Sequence, residues 1–382
     1  MITAVTICAL LALALPFVAY PLLLWFRAVA APRPVDGRDW TPSVDLIICA
    51  HNEEDAIEAR LENALALDYP RDQLRIRVAS DGSDDATGQL VRSFATRGVE
   101  FLDLPRVGKA AALNAAVEAG DGEILAFSDA NSEWEPQALR SLLWALGDPQ
   151  VGGAAGDQRY RNTGADSSGE RSYWSFDRLL KQWQSRAGNV TSATGAIYAI
   201  RRSLFEPAPA DATDDFMIST AVIARGFRLV FVDSARAWEL PASGGREFRR
   251  KLRVITRGLR AVQRRRALLN PLRYGTYAVQ LLLHKLLRRL VWVPLTVLLL
   301  ITPLYLGRGP VEFVSAVLLF AFLFLGGVAL AIPRFQRIAP LSIAAYVLMV
   351  NAACALATLR LLRGERVDTW ATEREAQARA GS

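Results

Sequence analysis

The sequence predicts an α/β domain with a mostly parallel sheet, set between an N-terminal apolar helix and a group of C-terminal apolar helices. Three observations predict this. Over residues ~40–270, short β-rich apolar runs (SVDLIICA, LRIRVAS, EILAFS) alternate with Ala/Leu-rich helical stretches (DAIEARLENALAL, ATGQLVRSF, GKAAALNAAVEAG). Residues 1–26 carry no charged side chain, and apolar runs at roughly 290–307, 311–332 and 341–362 close the chain. A composition of 52% hydrophobic and 22% charged residues over 382 positions suits neither a disordered chain nor one wholly immersed in lipid.

The first 26 residues are long enough to span a bilayer. A cleavable signal peptide is the alternative, with Ala28-Val29-Ala30 as its site, but no basic region precedes the apolar run and that run is too long. An uncleaved anchor over 1–30, kinked at Pro16 and Pro21, is expected. Residues 274–289 mix leucines with His284, Lys285, Arg288 and Arg289, which reads as an amphipathic helix at the interface. Arg27, Arg33 and Arg38 follow the anchor and place the middle of the chain on the cytosolic side. Counting spans puts the loop with Arg334 and Arg337 inside but the tail with Arg360, Arg363 and Arg366 outside. Either that tail breaks the positive-inside rule or one apolar run does not span. The expected divisions are therefore 1–30, 40–245, 246–289, 290–362 and a polar tail over 363–382.

Several chemistries are excluded early. Three cysteines (Cys8, Cys49, Cys354) make no disulfide framework, and two histidines (His51, His284) cannot support a Cys/His zinc site. No nucleophile elbow accompanies either histidine.

Within the α/β segment, a polar cluster follows each strand: His51-Asn52-Glu53-Glu54, Asp81-Gly82-Ser83-Asp84-Asp85 and Asp129-Ala130-Asn131. Ligands of open α/β sheets sit at the carboxyl ends of the strands, so three such clusters converge on one crevice. Each could instead simply cap the following helix. No tight G-x-G-x-x-G fingerprint is present, so a nucleotide site of another kind is indicated.

The ordered series IICAHNEE, SDGSDD, GKAAALN, FSDANS, TGAIYAIRR and TDDF, from about Asp45 to Leu272, resembles the family 2 glycosyltransferases. With its flanking apolar segments, the chain is similar to the membrane-bound branch that includes cellulose, chitin, hyaluronan and poly-N-acetylglucosamine synthases. The resemblance implies a GT-A fold and a nucleotide-sugar donor, taken as a UDP-sugar. It assigns Ala50, His51, Asn52, Glu53 and Asp81 to the pocket for base and ribose, and Lys109 to the donor's anionic part, where a solvated first-turn lysine is the alternative. Asp129 and Asn131 match the D-x-D motif that holds a divalent cation, Mg²⁺ or Mn²⁺, with Asn replacing the second Asp. Asp84 and Asp85 are expected to cap the helix they open, and Ser132 and Glu133 to start another.

Asp214-Asp215, in TDDF, matches the family's T-E-D, which makes Asp215 the base for an acceptor hydroxyl, with Asp214 beside it; a helix cap is again the alternative. A strongly basic run, 246–266, contains ten Arg or Lys and one acid, Glu247, so it exceeds the chain's net charge of +7. Without interleaved aromatics and directly before membrane, it argues for lipid headgroups rather than nucleic acid. Arg250-Lys251-Leu252-Arg253-Val254 also resembles the family's Q-x-x-R-W. That match makes Arg253 a stabiliser of the leaving diphosphate, with Arg250 beside it in the donor pocket. Val254 stands where processive synthases carry Trp. Tyr173, Trp174 and a strand at Thr194-Gly195-Ala196 are candidates for an acceptor wall.

The expected function is an inverting transfer of a sugar from a UDP-sugar to a polysaccharide or lipid-linked acceptor in cell-surface or exopolysaccharide synthesis. The expected place is the bacterial inner membrane, multi-pass, with the catalytic domain cytosolic. Membrane lipids and polysaccharide-export subunits are the expected partners. Two alternatives stay open: non-processive glycosylation of a lipid carrier or membrane lipid, and a catalytically silent binding subunit of an export complex.

Overall fold

The computed structural model describes residues 2–161, 168–240, 247–305 and 309–365. Arg246, at the head of the basic run, and the tail beyond residue 365 lie outside the described residues, as does the side chain of Tyr173. Two compact units are distinguished. One gathers Pro32–Arg161 with Gln184–Pro241; the other gathers Met1–Ala31, Asn162–Trp183 and Ala242–Arg366.

The first unit is built on one eight-stranded sheet. Its strands are β1 (Val44–Ala50), β2 (Leu74–Asp81), β3 (Val99–Leu104), β4 (Ile124–Asp129), β5 (Glu133–Trp134), β6 (Val151–Tyr160), β7 (Tyr198–Arg201) and β8 (Arg228–Glu239), in the order β3-β2-β1-β4-β7-β6-β8-β5. The β3-β2-β1-β4 half is parallel throughout. The other half is mixed: β7 runs antiparallel to both β4 and β6, while β6 and β8 are parallel. VDLIICA forms β1 because all seven residues are buried, the pattern of a strand covered on both faces. Helices Ile57–Leu65 and Ala138–Leu146 bury Ile57, Leu61, Leu139 and Leu142 in a core shared with Leu46, Ile76 and Trp134. Ser132 and Glu133 do not begin a helix as expected. Glu133–Trp134 pairs with Ala237 and Trp238 of β8, and the next helix starts only at Ala138. Thr194-Gly195-Ala196 likewise precedes the strand rather than forming it.

The second unit is helical. Among the described residues, three helices are long and apolar enough to cross a membrane: Thr3–Ala30, Phe313–Ala331 and Ala339–Leu362. In the first, the Tyr20 amide bonds to the Leu15 carbonyl five residues back, a widened turn that accommodates Pro16 and Pro21 without ending the helix. The 290–307 run does not form a span by itself. Helices Thr276–Arg289 and Trp292–Leu304 meet at a bend of 49° and reach spanning length only as a pair. Pro294 explains the break, because its ring cannot follow a helical carbonyl four residues earlier, at Leu290. The basic helix Glu247–Arg264 packs its apolar stripe, Leu252, Ile255 and Leu259, on Ala353, Cys354 and Ala357 of Ala339–Leu362. Its amphipathic pattern is thus used within the unit, and Arg257 and Arg260 are buried with it.

Candidate active site

The parallel half of the sheet delivers the polar clusters to one end. Directly after β1, Asn52 takes a left-handed conformation (φ 53°), which an Asn side chain tolerates. The turn is zipped to the loop after β2: the Asn52 amide donates to Ser83 Oγ (3.2 Å), the Glu53 amide to Thr87 Oγ1 (2.8 Å), and the Asp84 amide to Asn52 Oδ1 (3.0 Å). Asp85 Oδ1 accepts from the Thr87 amide (2.9 Å) at the start of the helix Thr87–Ser93, whose N-cap position itself is Ala86 rather than the expected Asp84 or Asp85. Ala50 and His51 are buried within this wall.

Asp81 has no exposed surface, and its carboxylate is used by the protein itself. Oδ1 accepts from the amides of Val107 and Gly108, both at 2.7 Å, and Oδ2 pairs with Arg106 at 2.6 Å. It thereby shapes the loop that feeds the helix Lys109–Glu118, whose start requires Gly108 at φ 92°. Sequence reasoning overlooked Arg106. An arginine just upstream of the G-K pair was the available signal.

Lys109 then joins two motifs that lie far apart in the chain. Its Nζ sits 2.6 Å from Asp129 Oδ1, at the end of β4, and 3.5 Å from Asp214 Oδ2, at the start of the helix Asp214–Ala224. Burial alone would depress the ammonium, but Asp129 and Asp214 outweigh it and hold Lys109 well above its ordinary range. Asp215 is half-buried and accepts from the Phe216 amide (2.7 Å). Cys49 pairs with Asp129 across β1 and β4, and burial pushes its thiol up to about 12, so it is no nucleophile.

The loop carrying Asp129 and the exposed Asn131 is pinned from beneath. Arg60, buried, donates to Ser128 Oγ (3.1 Å) and Asn63 Oδ1 (2.8 Å) and lies 5.3 Å over the Trp134 ring. Asn63 in turn clasps both backbone groups of Trp134 (2.8 and 2.9 Å). Glu239, at the end of β8, accepts from Ser132 Oγ and from Gln158 Nε2 (2.6 Å). Burial, and then the charge of Asp129, raise its carboxyl to about 7. Its position in the sequence gave no hint of this, because the approach depends on β8 pairing with β5.

The residues present fit a divalent cation. Asp129 and Asn131 supply hard oxygen donors, and Lys109 already places a positive charge between Asp129 and Asp214. Gly195 leaves room at Asp129, where a Cβ would come within 2.8 Å of Oδ2. The Thr194 hydroxyl is buried there without a partner among the described residues. Among the described residues there is no group of three or more His, Cys, Asp or Glu that could hold a metal by itself. Asp129, Lys109 and Asp214 are thus brought together, with Asp215 beside them and the turn after β1 as a wall. Arg250 and Arg253 belong to the helix Glu247–Arg264 of the other unit. Arg253 is held below its ordinary range by burial and by the neighbouring Arg257 and Arg250.

The model for Glycosyl transferase family 2 matches residues 45–207. Among curated relatives, the probable glycosyltransferase YdaM of Bacillus subtilis (strain 168) is 28% identical, over 52% of this chain and 50% of its own. An N-acetylglucosaminyltransferase of Rhizobium meliloti (strain 1021) is 31% identical, over 54% of this chain and 53% of its own. The chain therefore spans about half the length of these curated relatives. Among solved structures, the mannosyltransferase PcManGT from Pyrobaculum calidifontis, in complex with GDP-Man and Mn²⁺, aligns with a TM-score of 0.70 at 24% identity, covering 94% of this chain and 99% of that one. That likeness establishes the GT-A fold. Residues 45–207 thus carry a Glycosyl transferase family 2 domain, folded as a GT-A domain around the Lys109 bridge.

Proposed function

We propose that this chain is a membrane-bound, inverting hexosyltransferase that moves a sugar from a UDP-sugar to a polysaccharide or lipid-linked acceptor. The observation that carries the reading is the Lys109 bridge, which draws the ends of two motifs 85 residues apart in sequence, Asp129 and Asp214, onto one ammonium. Asp215 takes the proton of an acceptor hydroxyl. The freed oxygen pair forms the new bond at the anomeric carbon, while the bond to the diphosphate oxygen breaks on the opposite face. Lys109 offsets the charge that develops on the leaving diphosphate, a role that the Q-x-x-R-W resemblance gives to Arg253 as well. Asp129 and Asn131 would hold the Mg²⁺ or Mn²⁺, which supplies further charge neutralisation when bound. Ala50, His51, Asn52 and Glu53 wall the nucleotide pocket, and Asp81 serves it by holding the 106–108 loop; Arg250 flanks Arg253.

Arg27, Arg33 and Arg38 after the first apolar helix support a cytosolic catalytic domain in a multi-pass inner-membrane protein. Membrane lipids surround its helices, and polysaccharide-export subunits are natural partners for a polymer product. A second reading, single-sugar transfer to a lipid carrier, is favoured by Val254, a small, 45% exposed side chain in the place of the family's Trp. Product length separates the two.

The test is UDP release by the full chain in lipid or detergent over a panel of UDP-sugars. UDP-N-acetylglucosamine comes first, because the Rhizobium meliloti relative is named an N-acetylglucosaminyltransferase. Metal-dependent release with one donor supports the reading. Failure to bind UDP with or without metal overturns it.

A further inference from the structure

Tyr198 opens β7, opposite Phe127 in the antiparallel register with β4, and its ring stacks on Phe127 at 4.7 Å. Side chains two apart on a strand share a face, so Tyr198, Phe127 and Asp129 lie on the same face of the sheet, with Cys49 beside Asp129 on β1. Tyr198 is 1% exposed, and its hydroxyl has no hydrogen-bond partner among the described residues. A phenol OH that deep is normally satisfied. Asp129 and Cys49 share this part of the sheet, the charges of Asp214, Asp215 and Asp129 act on the phenol, and Lys109 joins Asp129 to Asp214. We propose that the Tyr198 hydroxyl is a positioning residue, which donates to Asp214 when the Lys109 ammonium turns to an anionic donor and so holds the Asp214–Asp215 pair ready for proton transfer.

The charge balance calls for such a group. Lys109 is bonded to both Asp129 and Asp214, and a diphosphate arriving at the start of its helix competes for it. Once Lys109 turns, Asp214 loses a counter-charge beside a second carboxylate. Tyr198 offers a donor already desolvated and without a partner among the described residues. Burial, followed by Asp214, Asp215 and Asp129, pushes its phenol well above the ordinary range, so it stays protonated and can donate. No proton is transferred to or from Tyr198 in this role.

The inference rests on Asp215 as the base, and the experiment separates the two claims. Tyr198→Phe and Asp215→Asn are made in the full chain, with thermal unfolding, donor KM, kcat and the pH dependence of kcat measured for each. Phe keeps the stack on Phe127 and removes an unsatisfied hydroxyl, so Tyr198→Phe is expected to unfold no earlier than wild type. Its kcat is expected to fall about tenfold with donor KM within about twofold, the loss of one hydrogen bond to a charged group. The acid limb of its kcat profile moves up by about one pH unit, because a donor to the charged carboxylate pair has gone. An inactive Asp215→Asn beside a Tyr198→Phe with unchanged kcat and acid limb overturns the role of Tyr198 alone. An Asp215→Asn that turns over like wild type overturns the base assignment and this inference with it.

Discussion

Glu239→Gln should stabilise the protein at high pH and do little at low pH. Glu239 is 8% exposed and sits in reach of the Asp129 charge, and its carboxyl is raised from 4.5 to about 7. A carboxyl raised in the folded state adds stability that is complete below its unfolded value and is lost as pH climbs through the folded value. The wild type therefore loses stability between about pH 4.5 and pH 7 and then levels off. The displacement corresponds to roughly 3 kcal/mol above pH 7 and less than ~1 kcal/mol at pH 5. Gln is nearly isosteric and keeps both contacts: its oxygen accepts from Gln158, and its amide donates to a reoriented Ser132 hydroxyl. Thermal unfolding of wild type and variant in the same detergent, from pH 5 to pH 8, reads the effect. Titrations shared by the two proteins cancel in the difference. The Tm difference should open in favour of the variant by about 5–10 °C across that range. A Tm difference that stays flat between pH 5 and pH 8 would refute the reasoning.

Two further outcomes concern the cation site. Lys109→Met leaves Asp129 and Asp214 without their shared ammonium, which should cost about 1–3 kcal/mol in EDTA, discounted for the partial exposure of all three groups. Added Mn²⁺ should recover most of the lost Tm, and a variant indifferent to metal contradicts the placement of a cation there. Gly195→Ala would put a Cβ 2.8 Å from Asp129 Oδ2 and 3.2 Å from Oδ1, forcing the carboxylate aside. Its Mn²⁺ activation midpoint should rise by about tenfold or more, in the range of ligand-shell disturbances; an unchanged midpoint counts against Asp129 as a ligand.

Local signals made the parallel half of the sheet legible, and non-local pairing hid the rest. The strands β1, β2 and β4 were readable because short, mostly apolar runs are what burial on both faces demands. The polar residues after them were readable because strand ends are where such a sheet binds ligands. By contrast, β5 is two residues long and exists only through β8, so SEW read as a helix start. Glu239 and Tyr198 reach the site through β8 and β7, neither of which announces its neighbours in the local pattern. The contacts of Asp81 within the protein were not legible either, since its three donors come from residues 106–108, beyond the next strand. At 290–307, composition counting does not register the bend at Pro294, where Thr276–Arg289 meets Trp292–Leu304.

The most direct measurement is metal-dependent UDP release from a UDP-sugar by wild type and Asp215→Asn, with equal fold and equal UDP binding verified first. Release that needs Mg²⁺ or Mn²⁺ and falls by about 10²–10⁴ in Asp215→Asn is the expected result, the loss of a positioned general base. Release by Asp215→Asn at the wild-type rate would contradict the catalytic assignment at its centre.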